Sequence, residues 1–307
     1  MNNLRKNNLK TVEARLKLVQ KNIDKRLKSL NKRSAQRIAQ NWVRKKGGGG
    51  RSISISGDII EKAAVNFSSI YGKKLPNASL VTKSKSTNVK AFHAVGVSVI
   101  SHPSNPFCPT SHMNIRIFIE LGKNRKIINW WIGGGFDLTP FIVSYQDASF
   151  WHKEAKLTLD LFNKAYYKKF AKNCDEYFFL SHRNEKRGIG GIFFDQLKHI
   201  DIEASLSLLE KISECYINSY EKIILTNKNK KFSNDDKNFQ LYRRGRYVEF
   251  NLLFDRGTKF GIESKGRAES ILASLPPFVS WPYTDTKFKN KNKALNAFID
   301  KSWNERI

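Results

Sequence analysis

Apolar positions near the start of the chain keep helical spacing and then give way to alternation. Val12, Leu16, Val19, Ile23 and Leu30 recur about 3.6 residues apart, and Ala35, Ile38 and Trp42 extend the series less regularly. Residues 1–46 are therefore expected to be helical. Residues 52–55 alternate as a strand does, and a further element runs over 59–70 until Gly72 and Pro76 end it. Residues 90–100 and 114–120 alternate again, and Ser98 falls on the same side of the first run as Phe92, Ala94, Gly96 and Ile100. Between the two runs, Pro103, Pro106 and Pro109 fix φ and withhold donors. That predicts a stiff loop delivering His112, Asn114 and Arg116 onto a sheet.

Beyond residue 140 the pattern predicts a helix over 150–174, strands over 175–180 and 192–195, and an amphipathic helix over 204–225. A polar linker over 228–237 and a strand over 247–254 follow, the latter with Val248, Phe250, Leu252 and Phe254 on one side. A short helix from Glu269 is stopped by Pro276 and Pro277, and a last helix falls within 289–303. There are no internal repeats, and strands and helices do not alternate regularly. The reading is an α+β fold with one large, mainly antiparallel sheet flanked by helices in a single domain. A basic N-terminal helical segment (1–46) precedes the motif-bearing domain (47–307).

Composition narrows the class. An apolar fraction of 40% with 6 Trp, 10 Tyr and 21 Phe in 307 residues describes a globule with a substantial core. No run approaches 18 apolar residues, so no membrane span is expected. The start lacks a secretory leader, and three cysteines (Cys108, Cys174, Cys215) without paired spacing suit reduced thiols, so the expected location is the cytoplasm. The net charge of +28 admits three readings: a nucleic-acid partner, a polyanionic small substrate, or compositional bias toward Lys, Asn and Ile. Charge alone does not choose among them.

Candidate chemistry is concentrated in a few places. Gly47 to Gly50 lacks the order of a nucleotide P-loop and reads as a linker or a point of close backbone approach. Gly133, Gly134 and Gly135 lie between two tryptophans and Asp137, an arrangement that suits either a flat ligand against bare backbone or a tight bulge. His102, His112, His152 and His182 stand 10, 40 and 30 residues apart, which matches no compact metal signature, although imidazoles serve equally as acids, bases or ligands.

Taken together, HPSNPFCPTSHMNIR, WWIGGGFDLTP, CDEYFFLSHRNEKRGIGGIFFD, NFQLYRRGRYVEFNLLFDRGTKFG and GRAESILASLPP closely resemble the oxygen-dependent coproporphyrinogen III oxidases of haem biosynthesis. The resemblance runs from about residue 39 to near Trp303. It implies oxidative decarboxylation of two propionates of coproporphyrinogen III to vinyl groups, giving protoporphyrinogen IX. Dioxygen is the co-substrate, and no organic cofactor is needed. It also implies a homodimer with contacts within about 247–282, and it makes nucleic acid an unexpected partner. The rival reading is a basic nucleic-acid-binding protein.

By the same resemblance, His112 is the proton donor, and Ser98, Asn114, Ile115, Arg116, Lys265, Gly266 and Arg267 contact substrate. A divalent metal is implied at His102, His112, His152 and His182. Asp137 and Asp255 are further catalytic candidates, one of them as acceptor of pyrrole N–H bonds. Arginine suits propionates because its planar fork matches a carboxylate. Lys265 stands where the family usually has glycine, so it either strains the backbone or adds a propionate contact.

Overall fold

The computed structural model describes residues 2–45, 47–73, 89–263, 267–284 and 286–303. Lys265, Gly266 and Pro76 lie outside them. Seven strands make one antiparallel sheet in the order β1 (Gln36–Val43), β2 (Gly48–Ser56), β3 (Ile60–Gly72), β4 (Ala91–Pro103), β5 (Thr110–Leu121), β6 (Ile127–Thr139) and β9 (Gly190–Leu197). A separate hairpin joins β7 (Phe179–Leu180) to β8 (Glu185–Lys186).

Side chains alternate across a strand, so register divides each strand into two faces. Val65 and Phe67 of β3, Val95, Val97 and Val99 of β4, and Met113, Ile115 and Ile117 of β5 belong to one buried core. Helices α1 (Asn2–Leu30), α2 (Tyr145–Asp160), α3 (Tyr166–Tyr177) and α4 (Ile202–Asn227) cover that face. Each fully buried aliphatic side chain there contributes about 1.5–3 kcal/mol of transfer free energy. The α1 stripe predicted by spacing is buried at Val12, Leu16, Val19, Ile23 and Leu30, and Leu27 is buried with it. On its basic side, Arg15 pairs with Glu210 (2.6 Å) and Glu203, and Arg26 pairs with Glu221. The basic helix is thus docked on α4.

Several expectations change. Helix stops at Leu30, and residues 36–43 form β1, an edge strand in place of more helix. The glycine run is not a linker: Gly48, Gly49 and Gly50 belong to β2, where Gly50 pairs with Trp42. The expected helix over 150–174 is two helices, and residues 175–177 end α3 instead of starting a strand. Residues 247–254 are mostly helical, because α5 (Asn234–Leu253) runs through them from a capping box formed by Ser233 and Asp236. Tyr247, Phe250 and Phe254 also satisfy i, i+3, i+7 spacing, and short apolar runs fit either period.

The second face of the sheet is roofed by α5, α6 (Arg256–Glu263) and α7 (Ala268–Leu272), while α8 (Lys289–Ile299) packs beside β8. Tyr247 packs on Ala64 and Ile100, and the Lys62 ammonium donates to the Leu275 carbonyl (2.7 Å). Asn251 donates to the Ser274 hydroxyl (3.0 Å), and the Ser52 and Ser270 hydroxyls lie 2.8 Å apart. The roof is held by polar contacts at its edges, and a cavity remains between it and the sheet. Among the described residues, no helix is long and apolar enough to cross a membrane.

Candidate active site

Antiparallel register lines the cavity floor up in rows. Ser98 pairs with Asn114, which pairs with Gly135; Gly96 pairs with Arg116, which pairs with Gly133; Ile100 pairs with His112, which pairs with Asp137. Asn114 and Arg116 of β5 therefore stand beside neighbours whose own side chains are missing or small. Gly135 has φ +148, and a Cβ there would collide with the Ile192 carbonyl. The position accepts only glycine. The cavity, about 320 Å³, is lined on the floor by Ser98, His112, Asn114 and Arg116 and on the roof by Asn251, Asp255, Arg256 and Arg267. Aromatic and aliphatic side chains complete it, among them Trp42, Phe118, Phe178 and Phe193. Such a lining suits a mostly apolar ligand with a few charged groups at its edge.

Behind the floor runs a buried ionic chain. Arg187 donates to both Asp137 carboxylate oxygens at 2.9 Å, and both side chains are only 1% exposed. The guanidinium also lies 4.1 Å from the Phe178 ring centre and 4.6 Å from those of Tyr247 and Phe250, and it donates to Asn251 (3.2 Å). Burial pushes the Asp137 carboxyl up, but the Arg187 charge and the His112 contact outweigh it and hold the group below its ordinary value. An ionised carboxylate only accepts, so the 3.1 Å contact between His112 Nδ1 and Asp137 Oδ1 has the imidazole N–H as donor. That fixes the tautomer and leaves Nε2 for the cavity, toward which His112 keeps 23% exposure.

Asp137 itself does not line the cavity. It sits behind His112 with its oxygens already engaged, which suits it to orient the imidazole and not to receive pyrrole N–H groups. Asp255 does line the cavity, as the residue preceding α6. Its Oδ2 accepts from the Thr258 amide (2.7 Å) and hydroxyl (3.0 Å), and its Oδ1 accepts from the Tyr177 hydroxyl (3.0 Å). The first two contacts are those of a helix N-cap.

The remaining expected contacts separate. Ser98, Asn114 and Arg116 share the floor, but the Ile115 side chain points into the opposite core and is fully buried, so alternation removes it from the substrate face. Arg267 reaches the rim, paired with Glu269 (2.9 Å) and hydrogen-bonded to Gln40.

The four histidines do not assemble a metal centre. His102 Nε2 donates to the Ser274 carbonyl (2.9 Å), and Nδ1 lies 3.1 Å from the Thr110 hydroxyl. Burial and the nearby Arg244 charge hold this imidazole well below its ordinary pKa. His152 donates to the Ile189 carbonyl (2.9 Å), lies 3.1 Å from the Tyr167 hydroxyl, and is pushed down to about 4 by burial. His182 is 36% exposed and bonded to Glu249 (2.8 Å). Among the described residues, no three His, Cys, Asp or Glu side chains come together as a metal site would require. Two of these imidazoles have both ring nitrogens committed to protein hydrogen bonds, so the set does not fit a shared ion.

Comparison with known proteins decides the family. The Coproporphyrinogen III oxidase family profile matches residues 11–303. The chain belongs to the coproporphyrinogen III oxidase family. A relative named oxygen-dependent coproporphyrinogen-III oxidase from Wigglesworthia glossinidia brevipalpis is 50% identical over 242 residues, covering 79% of each chain. One of the same name from Francisella tularensis subsp. novicida (strain U112) is 44% identical over 283 residues, 90% of this chain and 91% of the relative. Another, from Francisella tularensis subsp. holarctica (strain OSU18), is 46% identical over 272 residues.

Three cavity groups went unnoticed in the sequence of this coproporphyrinogen III oxidase family member: Arg187, Asp195 and Tyr177. Asp195 had a readable signal, since it shares strand parity with Phe193. Arg187 had none beyond a basic residue before a glycine turn, because its burial depends on Phe178 and on α5 residues about 60 positions away, Tyr247, Phe250 and Asn251.

Proposed function

We propose that the chain catalyses the oxidative decarboxylation of two propionates of coproporphyrinogen III to vinyl groups, giving protoporphyrinogen IX with dioxygen as acceptor. For each propionate, –CH2CH2COO⁻, O2 and one proton become –CH=CH2, CO2 and H2O2. The observation that carries the reading is the sheet-floored cavity that sets His112, Asn114 and Arg116 on one face in a chain matched along most of its length by this family. Arg116 would hold a propionate, while Ser98, Asn114 and the bare backbone of Gly133 to Gly135 leave room for the tetrapyrrole. Arg267 at the rim would meet a second carboxylate. His112, held in orientation by Asp137, would supply the proton that the balance requires. The tetrapyrrole is itself an electron-rich reductant, so the scheme needs no organic cofactor. No step runs through a metal, because the histidines do not fit one.

Two further readings belong here. Leu252, Ile262, Leu272, Phe278 and Trp281 are 46–64% exposed on one stretch of chain, which supports a homodimer with contacts within about 247–282. Phe278→Glu should shift sedimentation toward a monomer. Three buried free cysteines support residence in the reducing cytoplasm. Nothing favours nucleic-acid binding: the basic N-terminal helix uses its apolar stripe and two of its arginines to dock on the protein.

The test of activity is product formation from coproporphyrinogen III in air and under anaerobic conditions, read as porphyrin fluorescence after product oxidation. Oxygen-dependent product that falls by about 10²–10⁴-fold in His112→Ala supports the assignment. Absence of oxygen-dependent product from the intact protein refutes it.

A further inference from the structure

On the cavity wall, Asp195, in the register irregularity of β9 between Phe194 and Leu197, joins two arginines from different elements. Its Oδ1 lies 2.9 Å from Arg116 Nη2, and its Oδ2 lies 3.3 Å from Arg256 Nη1. The Gln196 amide also donates to Oδ1 (3.0 Å). All three charged side chains remain partly open, at 25% for Arg116, 35% for Arg256 and 19% for Asp195. The pair has a prepared seat: a Cβ on Gly133 would come within 2.8 Å of Asp195 Oδ1 and 3.0 Å of Arg116 Nε.

Arg116 is partly engaged in this arrangement. Nη1 donates to Asn114 Oδ1 (3.0 Å), Nη2 faces Asp195, and Nε lies over Gly133. A carboxylate that takes a guanidinium by two parallel hydrogen bonds uses Nη2 together with Nε or Nη1, and Asp195 already engages Nη2. Arg256 gives Nη1 to Asp195 and sets its guanidinium 4.8 Å from the Tyr177 ring centre. The cluster has two cations and one anion, so it keeps one uncompensated positive charge facing the cavity.

We propose that Asp195 is a stand-in for a substrate propionate: it fills the Arg116 fork in the empty cavity, yields it to an arriving propionate, and takes it back as product leaves. The inference rests on Arg116 being a propionate anchor. Its use is to limit affinity. A tetracarboxylate held by unopposed arginines would leave slowly, and the product still carries two propionates. A tethered carboxylate competes with every bound carboxylate at a fixed, high local concentration. It also keeps small anions from occupying the fork between turnovers. Asp195 is thus a positioning and release residue that touches the anchor, not the reacting carbons.

The test uses the full chain and coproporphyrin III, the aromatic and unreactive form of the substrate, titrated by fluorescence. Asp195→Asn keeps the shape and removes the charge. It is expected to bind the porphyrin about tenfold more tightly, a gain typical of unmasking one charge-assisted contact. In turnover it should lower KM and kcat together, with product release slowed in single-turnover experiments. Inorganic sulfate should compete more strongly with the porphyrin in the variant than in the parent. Asp195→Ser makes the same test with a shorter uncharged side chain if the amide variant folds poorly. Unchanged or weaker porphyrin binding in the folded variants would overturn the proposal, because a carboxylate that merely holds two arginines in place would show that result. Arg116→Gln separates the premise: if it leaves porphyrin affinity intact, the anchor assignment itself fails. If it weakens binding while Asp195→Asn does not tighten it, only the stand-in role fails.

Discussion

Replacing Arg187 by methionine removes a buried cation and strands Asp137, whose other side-chain partner is His112. The two carboxylate contacts are 2.9 Å long and both residues are 1% exposed, so solvent cannot compensate the loss. Breaking one side of such a pair costs about 3–5 kcal/mol, whereas removing both sides is often close to neutral. Arg187→Met should therefore lose about 3–5 kcal/mol. Asp137→Asn should lose less, about 1.5–3 kcal/mol, because an amide oxygen still accepts from Arg187 and three aromatic rings surround the cation. The double variant should recover about 2 kcal/mol relative to the sum. The assay is urea unfolding of all four proteins at several pH values.

The pH dependence adds a sign. In the parent, Asp137 lies below its ordinary value. Its contribution is present above the unfolded pKa of about 3.9 and is lost as pH falls through the lower folded value. In Arg187→Met, burial acts with no opposing guanidinium, so the carboxyl moves up. Its contribution then reverses and is lost as pH rises from about 4 through the raised folded pKa. Additive free energies in the cycle, within about 0.5 kcal/mol, would refute the coupling. An unchanged pH slope in Arg187→Met would refute the electrostatic account of Asp137.

Gly135→Ala puts a methyl group into the Ile192 carbonyl at φ +148 and should cost about 3 kcal/mol or more, seen as a lower yield of folded protein and a lower Tm. His152→Ala leaves the Tyr167 hydroxyl and the Ile189 carbonyl without their partner and should cost about 2–4 kcal/mol. A chelator should not change the Tm of the parent. A chelator-induced drop that vanishes in His152→Ala would mean that His152 is a ligand and not a core residue. Burial holds His93 and His152 at about 4, so each binds its proton more readily unfolded. Neither costs stability above about pH 6.5; the loss grows as pH falls and reaches roughly 3 kcal/mol per group below about pH 4. Guanidinium titrations of His93→Phe should give a flatter stability curve across that window, and an identical curve would refute the assignment.

The parts of this fold legible in the sequence are those where burial is one-sided. β5 alternates without a break, so Asn114 and Arg116 could be set on one face and the isoleucines on the other. The same parity would have excluded the Ile115 side chain from substrate contact. β1 carried no such signal, since it is a largely exposed edge whose burial does not alternate. The α5 segment hid its period because its aromatic residues suit both templates. Among the site residues, the motifs named the chemistry but not the depth. Asp137 and Asp255 were alike as carboxylates in the sequence. Folding puts one behind His112 and makes the other an N-cap, a difference set by contacts 50 and 78 residues away, with Arg187 and Tyr177. The histidines were misleading for the same reason: a shared residue type does not mean a shared location, and His152 belongs to the helical layer.

The row-by-row register of β4, β5 and β6 also sets a rule about length. From His112 to Arg116 the active face and the core face occupy alternate residues of one strand. Deleting any single residue there would turn Arg116 toward the oily layer and an isoleucine toward the substrate. Insertions and deletions in this stretch should therefore remove catalysis and folding together. The turn at residues 122–126, which carries neither face, is where the chain can change length without harm.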